Sequence, residues 1–253
     1  MVKEEGEADY WNRKWRLREA HLHENVALDG SDGEDEFDEE LLKIVRDKEV
    51  LDIGCGPGEF TLRVARRAKH VVGIDSSETA LRLAKQNLSR TRLENIAFLK
   101  GKAERLQVPE ETYDVVFSRR GPASDSRRNL SEVRRVLTEG GTFMEICIGE
   151  RDKQNIAGIF GRGQMLGFVG QVSSVKRSWL EEVGFREARS RDYMGTEVFR
   201  SIDDLIVRLR TAPIIPSFDA RKDGNLLETV ETQCSTDRGI ETPVHRVILI
   251  GRK

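Results

Sequence analysis

Three glycines at alternate positions, Gly54, Gly56 and Gly58, follow directly on the apolar run Val50–Ile53, and the helical pattern Phe60, Leu62, Val64, Ala65 and Ala68 comes next. Strand, glycine turn, helix is the opening of a nucleotide-binding α/β unit. A side chain in such a turn would keep the backbone away from a ligand, and the turn can require positive φ. The spacing G-x-G-x-G is neither the dinucleotide pattern G-x-G-x-x-G nor the phosphate loop G-x-x-x-x-G-K-[ST]. A second apolar run, Val71-Val72-Gly73-Ile74, ends at Asp75. A carboxylate at that point can accept from both hydroxyls of a ribose. No arginine follows at once to meet a 2′-phosphate, so the ligand expected has a free ribose and no pyrophosphate.

These residues need a frame, and the rest of the chain supplies one. A short amphipathic helix at 39–46 leads into strand 50–54. The alternation then runs helix 59–68, strand 71–75, helix 77–89, strand 96–100, short helix 103–106, strand 113–118, helix 125–137 and strand 142–148. Strands alternating with helices predict a parallel sheet covered on both faces, wound right-handed into a doubly wound sandwich. Ligands of such sheets lie at the carboxyl ends of the strands, near the point where strand order reverses. Trp179–Phe185 reads as the last core helix with Gly184 as its C-cap, 186–193 as a sixth strand and 244–250 as a seventh.

With these elements laid out, the chain resembles the class I S-adenosylmethionine (SAM) methyltransferases. Leu51-Asp52-Ile53-Gly54-Cys55-Gly56-Pro57-Gly58 is similar to that family's first motif and Val72-Gly73-Ile74-Asp75-Ser76-Ser77 to its second. Gly101–Leu106 stands where the adenine-contacting motif belongs, Tyr113–Ser118 resembles the fourth strand, and Glu132–Phe143 the helix, Gly-Gly turn and fifth strand. The resemblance covers roughly 45–150 closely. It implies an α/β, doubly wound, seven-stranded, mostly parallel sheet with an antiparallel last strand, helices on both faces, and insertions at about 149–173 and 194–243 forming a small cap. It implies SAM as cofactor and S-adenosylhomocysteine (SAH) as product. In that reading the Gly54, Cys55, Gly56 and Gly58 backbone passes beneath the methionine part, Asp52 orients its ammonium, and Asp75 grips the ribose. Ser76 lies against the adenine, the Ala103 N–H faces its ring nitrogen, and Ser118 lies near the amino acid portion and the methyl. Many relatives have Asp-Ala at the adenine position. Here Lys102 replaces the Asp and cannot accept a hydrogen bond. Either Glu104 accepts from the exocyclic amine instead, or the adenine goes without that hydrogen bond.

The acceptor side is less legible. After the fourth strand the chain reads Ser118-Arg119-Arg120-Gly121-Pro122, not the Asn-Pro-Pro-Tyr of relatives that methylate planar amino groups. Arg119 and Arg120 can recognise an anionic acceptor, because a guanidinium fork suits carboxylate or phosphate; equally, they can pair with the acidic N-terminal segment. Tyr193, at the end of the sixth strand, and His21 and His23, near the N-terminus, are further candidates to reach the acceptor. His70 and His245 read as structural, Cys55 and Cys147 as packing. The glycine-rich stretch 158–170 reads as a mobile lid segment rather than a phosphate loop.

The expected organisation is an N-terminal helix and acidic linker over 1–40, then the catalytic domain over 41–253. Residues 29–40 carry eight acids and no base, which reads as a solvated linker. Trp11 and Trp15 lie one helical turn apart, either to dock on the domain or to close over the cofactor as a lid. Of the 253 residues, 38% are hydrophobic and 34% charged, with net charge −2, so no global field draws the chain onto nucleic acid. Its three cysteines form no CxxC pair, so neither a disulfide framework nor a metal site is expected. No membrane association is expected either, since no apolar run approaches ~18 residues. The charged N-terminus is not signal-like. The expectation is a cytoplasmic methyltransferase with a small or medium-sized, anionic or neutral metabolite as acceptor. The alternatives are an RNA methyltransferase, which needs a basic face such as the Arg127, Arg128, Arg134 and Arg135 helix, and a SAM-binding regulator that transfers nothing.

Overall fold

The structure is a computed structural model and describes residues 7–19 and 25–253. In chain order its elements are α1 (Glu7–Glu19), β1 (Val26–Gly30), α2 (Glu34–Ile44), β2 (Glu49–Ile53), α3 (Glu59–Ala65), β3 (His70–Asp75), α4 (Glu78–Ser89) and β4 (Ile96–Lys100). Then come β5 (Tyr113–Arg119), α5 (Arg127–Val136), β6 (Leu137–Ile148), α6 (Gln154–Phe160), α7 (Val172–Glu182), β7 (Arg186–Phe199), α8 (Ile202–Thr211), α9 (Gly224–Cys234), β8 (Ser235–Thr236) and β9 (Gly239–Arg252). They fall into two compact units. The first comprises Gly33–Cys147, Val172–Arg191 and Val247–Lys253; the second the described residues up to Asp32, with Ile148–Gln171 and Asp192–Arg246.

In the first unit the sheet order is β7, β9, β6, β5, β2, β3, β4. Strands β4, β3, β2, β5 and β6 are parallel neighbours. Strand β9 runs antiparallel to β6: Gly140 and Gly141 exchange backbone bonds with Lys253 at one end of the pair. Chain order reverses between β2 and β5, which places the switch point at Ile53 and Ser118. The strand interiors are the apolar runs read from the sequence, with Val50, Leu51, Val71, Val116, Phe117 and Phe143 buried. Helix starts are set by side chains: Ser77 accepts from the Ala80 N–H at the head of α4, and Ser126 from the Asn129 N–H at the head of α5.

In the second unit β1 pairs antiparallel with the later half of β7, from Val26↔Phe199 to Gly30↔Gly195. Helices α6, α8 and α9 close over a core of Ile156, Phe160, Phe199, Leu205, Leu209 and Val230. Lys14 on α1 ties that helix to the end of α8 by donating to the carbonyls of Leu209, Arg210 and Ala212 at 3.3, 2.7 and 3.1 Å. Lys153 is buried against Glu197 at 2.8 Å.

Several expectations need correction. The acidic run is not a linker: its start lies in β1 and its end in α2, where Phe37 and Leu41 are fully buried, so apolar residues at helical spacing outweigh the acids. The short helix at 103–106 is instead a turn held by a bridge between Lys102 and Arg105. The described residues form nine strands rather than seven, the additions being β1 and β8. The glycine-rich stretch 158–170 is partly fixed, because Arg162 makes a bidentate pair with Asp223 (both 2.8 Å) and the Gln164 N–H donates to the Ile214 carbonyl at 2.9 Å. Its Leu166 and Val169 stand exposed. His245 is central in β9, not at its start, and is buried with Nε2 2.9 Å from Asp192. His21 and His23 lie outside the described residues.

Candidate functional site

The site is built at the switch point of the first unit. Strand β2 leaves the sheet at Gly54, where the N–H groups of Gly54 and Cys55 both donate to the Ile74 carbonyl at 2.8 and 3.1 Å. Gly54 has φ +79°, and a Cβ there would stand 2.9 Å from Pro122 Cδ and 3.0 Å from Gly121 Cα. Gly58, at φ +75°, caps α3, and a Cβ would fall 2.5 Å from the Phe98 ring. Both positions therefore exclude any side chain on two counts, conformation and space.

Asp75 ends β3 facing this turn. One carboxylate oxygen accepts from the Gly56 N–H at 2.9 Å, the other from the Ser77 N–H at 2.8 Å. The carboxylate thus braces the glycine turn against the head of α4. Burial raises its pKa, while the Ser77, Gly56 and Ser76 amides pull it back. Each oxygen keeps a second lone pair, so the carboxylate can accept further bonds. The Gly101 N–H donates to the Asp75 carbonyl at 3.0 Å, which brings 101–104 alongside. There Ala103 is buried and Glu104 half-buried, its carboxylate 3.8 Å from the Lys102 ammonium.

Asp52, one residue before the end of β2, is enclosed. Burial pushes its carboxyl up to about 7, against the Thr61 hydroxyl that donates to it at 2.7 Å and the nearby Arg119 charge. Cys55 is also buried and its thiol is pushed up, chiefly by burial, which removes it as a nucleophile at neutral pH. Ser118 is fully buried and its hydroxyl donates to the Ile53 carbonyl at 2.8 Å, joining β5 to β2 where the glycine turn begins.

Arg119 and Arg120 both pair with acids of α2. Arg119 donates through Nε to Asp38 at 3.0 Å and through Nη2 to Glu34 at 2.5 Å, and lies 5.2 Å from the Phe60 ring centroid. Arg120, at φ +61°, reaches Glu34 at 3.1 Å. The acids of α2 therefore hold both guanidiniums, with Arg119 engaged through Nε and Nη2. Tyr193 belongs to the second unit and sits mid-strand rather than at a tip, because β7 continues to Phe199 to pair with β1.

The fold thus brings Asp52, Gly54, Cys55, Gly56, Gly58, Asp75, Ser76, Ala103, Glu104, Ser118 and Arg119 into one unit, at the carboxyl ends of adjacent strands. Sequence reasoning missed Thr61 and Phe60, which carried a signal in their place just after the last glycine. The pairing of Arg119 and Arg120 with the acidic segment was one of two expected alternatives, and the structure assigns it to Glu34 and Asp38. A second buried group was also missed. Glu145 on β6 is the register neighbour of Ser118, and burial pushes its carboxyl up to about 7, opposed by the Lys176 charge and then by Ser124. Lys176 on α7 donates to the Ser124 hydroxyl at 2.9 Å. A lone acid in the apolar run Phe143–Ile148 was its only trace in the sequence. Among the described residues no cluster of His, Cys, Asp and Glu could hold a metal ion, and no helix is long and apolar enough to cross a membrane.

Residues 50–141 match the family described as "Methyltransferase domain". That match covers a little over a third of the chain, from β2 into the start of β6. It is 32% identical over 97 residues to a Bacillus subtilis protein named as an uncharacterized methyltransferase, YcgJ, covering 38% of each chain. It is 30% identical over 124 residues to the demethylmenaquinone methyltransferase of Listeria monocytogenes, covering 47% of this chain and 51% of that one. These alignments span about a third to a half of the relatives' length. The YcgJ crystal structure superimposes with a TM-score of 0.66 at 17% identity, over 87% of this chain and 98% of that one, which shows a common fold.

Proposed function

We propose that this methyltransferase-family chain moves the methyl group of SAM to a small or medium-sized metabolite and releases SAH. The observation that carries the reading is the glycine turn flanked by two carboxylates on adjacent parallel strands, the buried Asp52 and the half-buried Asp75. It fits the cofactor part by part. Gly54 and Gly58 let the turn close against Pro122 and Phe98, Asp75 retains lone pairs for the ribose hydroxyls, and Ala103 offers a backbone N–H beside it for the adenine. Asp52 supplies a carboxylate for the ammonium, and becoming charged is favoured by the cation it would meet.

SAM itself supplies a methyl on a sulfonium, whose leaving group is a neutral thioether. The protein's task is then placement of the acceptor in line with that methyl. A metabolite acceptor is supported by the demethylmenaquinone methyltransferases among the relatives. RNA is not favoured by α5, because each of its four arginines contacts protein: Arg127 reaches Glu182, Arg128 the Glu104 carbonyl, Arg134 the Gly184 carbonyl and Arg135 Glu132.

The direct test is incubation with isotopically labelled SAM and a metabolite extract, followed by identification of the labelled product. Label in a small molecule is expected. Calorimetric binding of SAM with no labelled product in any extract would leave the regulator reading, and label confined to RNA would replace the metabolite reading.

A further inference from the structure

Asp52 is the acid assigned to the cofactor's ammonium, and in any α-amino acid the carboxylate is separated from that nitrogen only by Cα and the carboxyl carbon. A site that takes the ammonium therefore has the carboxylate close by, and a cation on the same face of the sheet is the group to look for. Phe117 is the register partner of Asp52 across the parallel pair β2–β5. Side chains of register partners point to the same face, as do residues two apart on one strand. Arg119 is therefore on the Asp52 face, one step nearer the carboxyl end. The contacts agree: Phe117 and Arg119 both meet the ring of Phe60, at 5.8 and 5.2 Å between centres, and Asp52 feels the Arg119 charge.

The guanidinium is partly used and rigidly held. Nε is given to Asp38 and Nη2 to Glu34, two carboxylates on α2, while Phe60 supports one face. Of its five N–H donors, those on Nη1 and the second on Nη2 make no hydrogen bond among the described residues. Those two nitrogens form the end-on pair that donates to a carboxylate bidentately.

We propose that Arg119 is the cation that holds the carboxylate of the cofactor's methionine end, with Glu34 and Asp38 fixing the direction of its fork. This rests on the SAM reading above and moves Arg119 from the acceptor to the cofactor. It also gives the acids of α2 a purpose in the site: they orient a binding group and prevent it from rotating away.

The test is calorimetric titration of the full chain with SAH and with 5′-methylthioadenosine, which keeps the adenine, ribose and thioether but lacks the amino acid. In Arg119→Gln the affinity for SAH is expected to fall at least tenfold while that for methylthioadenosine stays within twofold of the unaltered chain. Arg119→Lys, which keeps charge without the fork, should fall severalfold for SAH alone. Methylthioadenosine binding reports directly that each variant is folded. Equal losses for both ligands would make Arg119 a mere staple for α2, and no loss for SAH would remove it from the site; either result overturns the proposal. If the unaltered chain binds neither ligand, the SAM reading itself fails, an outcome separate from both.

Discussion

The carboxyls of Asp52 and Asp75 are both raised by burial, yet they are expected to respond differently to substitution. Asp75 holds the turn through Gly56 and Ser77, so Asp75→Ala removes both the brace and the proposed ribose partner. Charge-assisted hydrogen bonds contribute about 1.5–3 kcal/mol each, and SAM affinity measured by calorimetry should fall by a factor of ten or more. Asp52 titrates at about 7 in the folded chain. Its charged form is the one that attracts an ammonium, so SAM affinity should rise as pH increases through that value. Asp52→Asn should flatten the profile, and a variant retaining the full pH dependence would exclude Asp52 from the ammonium site. Both acids were legible in the sequence because each follows or lies within an apolar run next to a glycine. Their bracing of the turn was not, since hydrogen-bond direction is set by tertiary placement.

Among elements, the parallel strands and their helices were readable because apolar periodicity and turn glycines agree there. The acidic stretch misled because eight acids outweigh Phe37 and Leu41 in composition, whereas in the fold those two apolar residues decide the helix and Arg63, Arg119 and Arg120 answer its acids. Phe37→Ala should cost about 3–5 kcal/mol, read as a lowered midpoint of chemical denaturation, and should weaken SAH binding along with it by loosening the Arg119 fork. The turn into α3 is similarly exact in its demands. Gly58→Ala places a Cβ into the Phe98 ring at positive φ, and a loss of at least ~2 kcal/mol is expected. Replacing Phe98 by Leu as well should recover part of it, a coupling measurable by comparing the single and double variants.

For the whole molecule, the buried carboxyls make stability depend on pH. Asp52 and Glu145 move from ordinary values of 3.8 and 4.5 up to about 7. Between those limits the folded chain keeps protons that the unfolded chain releases, so the contribution is full below the lower value, declines as pH rises, and is gone above 7. At the upper limit Asp52 accounts for about 4 kcal/mol and Glu145 for about 3 kcal/mol. The stability of the unaltered chain relative to Glu145→Gln is therefore expected to fall between pH 5 and pH 8, measured by melting temperature at each pH; a constant difference would place Glu145 in a wetter setting. A last consequence concerns the order in which the chain is made. Glu34 and Asp38 are separated from Arg119 by 85 and 81 residues. During vectorial synthesis α2 leaves the ribosome well before the strand that bears its clamp exists. The helix synthesised first in this unit thus gains its Arg119 clamp only after β5 has docked. Pulsed hydrogen exchange on refolding should find the amides of α2 protected after those of β2 and β3.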